Sequence, residues 1–256
     1  MGLFLLPIND LPLIKQGDDI YSFIKQSLYK QEIIIEDGDI IAITSKIISK
    51  AEGRFINLSD IKPSEKAKEL SRICQKDQRL IEIILRESNE ILRITLDTII
   101  CEHKIGFVCA NAGIDHSNVC ENNDPNNFWY LLLPRNPDQS AKQIRQRFHK
   151  DMGVNIGVII IDSHGRAWRR GTVGCTIGTA GVPMLVDFRG KEDIFGYRLR
   201  ITQVAAADEL AAAASLLMGQ SDERIPAVHI KGFPYLLKDS SRFKDVLRKK
   251  SSDLFR

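Results

Sequence analysis

Among its five cysteines, Cys74, Cys101, Cys109, Cys120 and Cys175, the 256-residue chain has no C-x-x-C pair. An odd count without metal-type spacing argues against structural zinc and against a disulfide framework, and fits a reducing compartment. No apolar run approaches the length of a membrane span. The Met1 to Leu6 stretch is too short for a signal peptide and has no basic residue before it. An excess of one charge is missing as well: 36 Lys plus Arg stand against 33 Asp plus Glu, so no global field draws the chain to nucleic acid or to a membrane surface. Neither a Walker loop nor a G-x-G-x-x-G is present, so a nucleotide must be held by another device. His103, His116, His149, His164 and His229 fall into no metal-binding spacing, and there is no internal repeat or low-complexity linker. These absences leave a soluble, cytoplasmic protein, long enough for a large core, as the expectation.

What is present is oxygen-rich. Cys109-Ala-Asn-Ala-Gly-Ile-Asp-His-Ser-Asn118 and Ile160-Ile-Asp-Ser-His-Gly-Arg-Ala-Trp-Arg169 each place an Asp after an apolar run, with hydroxyl and amide oxygens within three residues. Hard cations such as Mg²⁺ and Mn²⁺ take such ligands and leave positions open for phosphate. Taken singly, Asp115 and Asp162 also read as turn residues that bond their own following backbone. The junction Ile43-Thr44-Ser45-Lys46, with Lys50 a turn later, either gathers N–H groups, a hydroxyl and two ammonium groups for a phosphate or is a solvated helix face. Arg166, Arg169 and Arg170 form a basic cluster suited to carboxylate or phosphate, and Trp168 reads as packing. Gly219 to Glu223 reads as the cap of a preceding helix.

Periodicity and punctuation outline the elements. Asp18 or Asp19 caps a helix to about Lys30, Asp37-Gly38-Asp39 turns into a buried strand Ile40 to Thr44, and a helix Ser45 to Ala51 follows until Glu52-Gly53-Arg54. Two helices span Pro63 to Cys74 and Asp77 to Ser88. Leu92 to Cys101 and Ile105 to Cys109 are β-rich, separated by a Glu102-His103-Lys104 turn, and Glu121 to Asn127 is a polar loop. A short strand Leu131 to Pro134 precedes a helix from about Gln139 to Lys150 with Asp138 as N-cap. A buried strand Val154 to Ile161 delivers Asp162 to its end. Glycines at 171, 174, 178 and 181 keep the backbone bare where another surface comes close. Tyr197 to Gln203 is strand-like, Ala205 to Gly219 is an Ala-rich helix, Ala227 to Ile230 is a strand, and Lys238 to Arg256 is a polar, partly helical tail. The mixture is α+β rather than regular βαβ alternation.

In order along the chain, these stretches resemble the coenzyme F420:L-glutamate ligase family, GTP-dependent gamma-glutamyl ligases of the deazaflavin coenzyme. The matching segments are Leu11-Pro-Leu-Ile-Lys-Gln-Gly-Asp-Asp19, Asp37 to Arg54, Gly106 to Val119, Leu132-Leu-Pro-Arg-Asn-Pro-Asp-Gln-Ser-Ala141, Asp162 to Gly171 and Leu217 to Pro226, so the resemblance covers Leu11 to Gly232. It implies a single gamma-glutamyl ligase domain with a mixed-sheet α+β fold, two interleaved lobes and an intertwined homodimer. It further implies that Leu11, Pro12, Leu13, Ile14, Ser45, Lys46, Lys50 and Asn118 line a GTP site, over which Met218, Gly219, Gln220, Ser221, Asp222, Glu223, Arg224 and Ile225 close. Asp115 and Asp162 become ligands of one divalent metal, Mg²⁺ or Mn²⁺, and Ser163 and Gln220 ligands of a second, with K⁺ as a further ion. Asp115, Asp162 and Arg166 are the residues expected to serve the chemistry. In that chemistry the γ-phosphoryl of GTP passes to the acceptor's terminal carboxylate, and the amine of L-glutamate attacks the acyl phosphate. Such a transfer asks for positioning and charge neutralisation rather than a protein nucleophile.

Some positions depart from the family pattern: Ala167 stands where Pro is common, Asn136 where Asp is, and Ser163 where Thr is. Cys120 to Tyr130 and Val173 to Ile177 are less typical and are candidates for contact with the acceptor, either a deazaflavin or a folate. A metal-dependent phosphohydrolase and a non-catalytic GTP- or deazaflavin-binding module are the competing classes.

Overall fold

The computed structural model describes residues 2–119 and 128–255; the expected Glu121 to Asn127 loop and Cys120 lie outside them. In chain order the elements are β1 (Phe4–Ile8), α1 (Ile20–Lys30), β2 (Ile40–Thr44), α2 (Ser45–Ala51), β3 (Phe55–Asn57), α3 (Glu65–Cys74), α4 (Gln78–Glu87), β4 (Ser88–Thr95), β5 (Thr98–His103), β6 (Val108–Ala110), β7 (Trp129–Leu131), α5 (Pro137–Met152), β8 (Gly157–Arg166), β9 (Arg169–Ala180), β10 (Val186–Asp187), β11 (Gln203–Val204), α6 (Ala206–Met218) and β12 (Ala227–Lys231). The fold is mixed α+β. The chain forms two compact units, one of Met1–Ile14, Asp18–Ile48 and Asn136–Val246, the other of Lys15–Gly17, Ser49–Arg135 and Leu247–Arg256.

The first unit is built on a mixed five-stranded sheet in the order β1-β12-β2-β8-β9, in which only β2 and β8 run parallel. These two central strands read as unbroken apolar runs because both faces are covered. Ile40, Ile41, Ala42, Ile43, Val158, Ile159 and Ile160 are fully buried. On β9 the pairing with β8 skips Ile177: Ile160 faces Gly178 and Ile161 faces Thr176. This one-residue bulge reverses the alternation of side chains, so Gly174 and Gly178 point to opposite faces although they are four residues apart. A Cβ at Gly174 would lie 2.5 Å from the Ala211 carbonyl of α6, and one at Gly178 would lie 2.4 Å from Pro137 of α5. The two bare positions thus let one helix approach each face.

Several expectations shift. β8 does not stop before Asp162 but runs four residues beyond it, paired throughout with β9. The helix α5 is capped by Asn136, whose Oδ1 accepts from the Gln139 N–H at 3.1 Å. Asp138 is instead turned inward and accepts from the Thr179 N–H at 2.8 Å. Tyr197 to Gln203 contributes only its last residue to a strand, β11. Edge strand β1, whose exposed Phe4 and Leu6 hide its alternation, is not foreseen.

The second unit holds the sheets β4-β5-β6 and β3-β7, with α3 and α4. The expected strand Leu92 to Cys101 is divided by a turn at Asp97, which adopts φ +61°. Glu102 and His103, expected in a turn, are buried strand residues of β5. The expected strand Leu131 to Pro134 lies earlier, at β7. His103 Nδ1 accepts from the Ile105 N–H at 3.1 Å, which leaves the proton on Nε2, 3.8 Å from Glu87. Burial, only partly offset by Glu87, pushes this imidazole down to about 4. The folded state therefore disfavours the charged ring, and stability is lost as pH falls from the unfolded value of about 6.5 toward 4. Through this residue, urea unfolding across that window should show a loss of about 2–3 kcal/mol, and His103→Gln should flatten that limb.

Candidate functional site

Ser45 follows the last residue of β2, and Thr44 is in register with Ile161 on the parallel β8. That register sets Ser45 beside Asp162, and the Ser45 Oγ donates to Asp162 Oδ1 at 2.7 Å. The position lies just past the carboxyl end of β2, where ligands of open α/β sheets bind. Successive strand residues point to opposite faces, so Ser163 leaves β8 on the side of Gly174 and α6. There its Oγ donates to Gln220 Oε1 at 2.8 Å, two residues past the end of α6. Two neighbouring residues thereby head two separate oxygen groups, Asp162 with Ser45 and Ser163 with Gln220. The turn reading of Asp162 does not hold, since it is a paired strand residue.

Around Asp162 the strand is more titratable than the sequence suggests. His164 Nε2 stands 4.0 Å from Asp162 Oδ2, and burial pushes the imidazole below its usual range. Asp208, in the first turn of α6, accepts from the Thr176 N–H at 2.9 Å. Burial raises its carboxyl above the ordinary value. Asp208 was not singled out from sequence; an acidic residue in a helix's first turn is too common to mark it. Burial likewise raises the Cys175 thiol to about 11, so it is no ready nucleophile.

After Met218, which is buried, Gly219 adopts φ +68° and a Cβ there would overlap the Glu223 carboxylate. Glu223 accepts from the Ser221 N–H at 2.8 Å, which folds Gly219 to Arg224 into a compact loop, exposed from Gln220 onward. Leu11, Pro12, Leu13 and Ile14 form an irregular segment before α1 in which Ile14 is buried and Leu13 is exposed. Lys46 is half-buried in the first turn of α2, and Arg166 ends β8 with its guanidinium donating to the Arg170 carbonyl at 3.3 Å. Trp168 lies outside the core, 89% exposed at the tip of the β8–β9 hairpin.

Asp115, Asn118 and Lys50 belong to the second unit. Beyond β6, Asn111, Ala112 and Gly113 all adopt left-handed φ values of 51°, 53° and 62°. A buried alanine in that region costs about 1–2 kcal/mol and recurs where a segment is held for function. The strained turn delivers Asp115 to a bridge with Leu131, each donating its N–H to the other's carbonyl. Asp115 Oδ1 accepts from both the N–H and the Oγ of Ser117 at 2.8 Å, so the turn reading does hold for this residue. Asn118 is exposed at φ +54°, and Lys50 is half-buried in the last turn of α2.

Among the described residues, no three His, Cys, Asp or Glu side chains gather as a metal site, and no helix is long and apolar enough to cross a membrane. A family model described as F420-0:Gamma-glutamyl ligase matches residues 9–232. The chain is similar to the coenzyme F420:L-glutamate ligase of Methanothermobacter thermautotrophicus, at 45% identity over 100% of both chains. It is also similar to that of Methanopyrus kandleri, at 43% identity over 100% of this chain and 99% of that protein. A third relative, from Methanocaldococcus jannaschii, is 42% identical over 96% of this chain and 94% of its own length. With a match of this extent, the chain belongs to the F420-0:gamma-glutamyl ligase family.

Proposed function

We propose that this protein joins L-glutamate to the terminal carboxylate of coenzyme F420-0, using GTP. The γ-phosphoryl of GTP passes to the acceptor carboxylate with release of GDP. The glutamate amine then attacks the acyl carbon, forming the amide and expelling inorganic phosphate. The observation that supports this reading is the pair of oxygen groups headed by Asp162 and Ser163 on β8, the first beside the end of β2, in a chain 45% identical to a protein named coenzyme F420:L-glutamate ligase.

The donor set fits hard cations. Its atoms are carboxylate, hydroxyl and amide oxygens, one carboxylate in the first unit, which suits Mg²⁺ or Mn²⁺ with phosphate oxygens and water completing the shell, and does not suit zinc. Asp162, Ser163 and Gln220 of the first unit are assigned as ligands of divalent ions, and Asp115 of the second unit is assigned as a metal ligand as well; such ions would supply charge neutralisation at the phosphates. In the first unit, Lys46, the segment Leu11 to Ile14 and the loop Met218 to Ile225 are assigned to the nucleotide, and Arg166 to charge developing on the transferred phosphoryl. K⁺ is a further candidate ion. A single ligase domain with interleaved lobes in an intertwined homodimer completes the proposal. An apolar arm between β10 and β11 supports the dimer, since Ile194 and Phe195 are 91% and 88% exposed.

Incubation with GTP, Mn²⁺, L-glutamate and F420-0 should give a product heavier by one glutamyl residue, with equimolar GDP and phosphate. Phosphate released at the same rate without glutamate would instead make the protein a phosphohydrolase.

A further inference from the structure

Helix α6 brings Gln220 to Ser163, and its seat on the sheet is stiff. Gly174 is the register partner of Ser163 on the neighbouring strand. Where α6 meets it, the nearest atoms are the Ala211 carbonyl oxygen and the Ser215 Cβ, which would lie 2.5 and 2.7 Å from a Cβ at Gly174. Neither atom can be moved by a rotamer change. Small residues of the helix, Ala207, Ala211 and Ala214, are fully buried along this stretch. Two residues further along β9, on the same face, Thr176 pins the other end of α6. Its N–H donates to Asp208 Oδ1 at 2.9 Å, and its Oγ1 donates to the Ala207 carbonyl at 2.8 Å.

Lengths decide which end of the helix yields. From Asp208 to Met218 α6 rises about 15 Å, and Gly174 meets it near the middle of that span. A methyl at Gly174 lacks about 1 Å of room before contact becomes ordinary. With the Thr176 end held, a lift of that size grows to about 2 Å at the end of α6. The 2.8 Å bond between Ser163 and Gln220 does not survive such a shift, since a separation beyond about 3.5 Å is no hydrogen bond.

We infer that Gly174 is a positioning residue: its bare Cα sets the spacing of Ser163 and Gln220, with the Thr176–Asp208 contact as pivot, and thereby the affinity of the divalent ion assigned to those two oxygens. This rests on the ligase reading above, which gives the pair an ion, and deepens it by naming what spaces the pair. Gly174 has no side chain to offer a ligand; it acts through α6.

The test titrates Mn²⁺ into the full-length protein at saturating GDP, without glutamate or acceptor, and measures free Mn²⁺ by electron paramagnetic resonance. The ion of the pair is the one whose binding Gln220→Ala weakens. Gly174→Ala should weaken the same ion by about ten- to a hundred-fold, the range for removing the support behind a ligand. Gly165→Ala, where a built Cβ meets nothing within 4 Å, should leave it within about two-fold. In the Gln220→Ala background, Gly174→Ala should cost no further Mn²⁺ affinity while still lowering the urea midpoint, because a positioning residue acts only through the group it positions. Thr176→Val deletes the bond to Ala207 at nearly unchanged volume and should weaken the same ion by about two- to ten-fold. It decides the matter if Gly174→Ala does not fold, and unchanged affinity then overturns the proposal. Wild-type Mn²⁺ affinity in a folded Gly174→Ala also overturns it, and so does an additive loss in the double variant. If the wild-type protein ligates no glutamate to F420-0 yet Gly174→Ala loses the ion through Gln220, the ligase reading fails while the spacing role stands.

Discussion

Asp162→Ala is expected to lower glutamate ligation by roughly a thousand-fold at saturating substrates, because it deletes the carboxylate that Ser45 holds beside the end of β2. Asp162→Asn keeps an oxygen that can accept from Ser45 but removes the charge, so it should recover little. Ser45 makes no change of charge and acts through Asp162 as a positioning residue. Its hydroxyl donates to a carboxylate at 2.7 Å, a bond worth about 1.5–3 kcal/mol, so Ser45→Ala should cost roughly ten- to a hundred-fold. The readout that separates positioning from mere folding is the metal dependence. Ser45→Ala should need more Mn²⁺ for half-maximal rate, whereas Asp162→Asn should not be rescued at any Mn²⁺ concentration. Full turnover by Asp162→Asn at saturating Mn²⁺ would remove Asp162 from the metal assignment.

The opposite projection of Asp162 and Ser163 shows where sequence reading stops. An apolar run followed by Asp-Ser-His-Gly-Arg looks like a strand that has ended, because polar residues accompany loops. Here the strand continues, and its polar portion carries the oxygen groups. Where an element is marked chemically, the reading succeeds: the isoleucine run of β2 passing into Ser45-Lys46, and the helix read from apolar spacing over Asp77 to Ser88, fall where expected. It fails where a buried polar residue imitates a turn, as Glu102 and His103 do, and where a turn forms at Asp97 without glycine. Pairing is illegible in one sequence. Nothing local to residues 40–44 says that they lie parallel to residues 157–161, and the Ser45–Asp162 bond depends on that register. The family resemblance supplied the grouping that periodicity lacked.

The glycines of β9 permit a sharper test of packing. All four were expected to keep the backbone bare, but they divide. Gly171 has nothing within 4 Å of a built Cβ and owes its identity to φ +83°, whereas Gly178 would set a Cβ against the Cβ, carbonyl carbon and oxygen of Pro137, at 2.4, 2.5 and 2.8 Å. Two of those atoms are backbone, so no rotamer change relieves the overlap; α5 must move off the sheet. Movement of α5 drags Asn136 and Asp138 with it, and Asp138 is bonded to the Thr179 N–H next along β9. Gly178→Val should therefore destabilise the fold by at least about 4 kcal/mol, beyond the usual overpacking cost because backbone rather than side chain must yield. Gly165→Ala, at a position with nothing within 4 Å and an ordinary φ, should change stability by less than about 0.5 kcal/mol and serves as the control. Urea unfolding of both variants measures the difference. If Gly178→Val unfolds within about 1 kcal/mol of the native protein, α5 does not lie against β9 as closely as described, and the link from the start of α5 to β9, the strand paired with the one bearing Asp162, is loose.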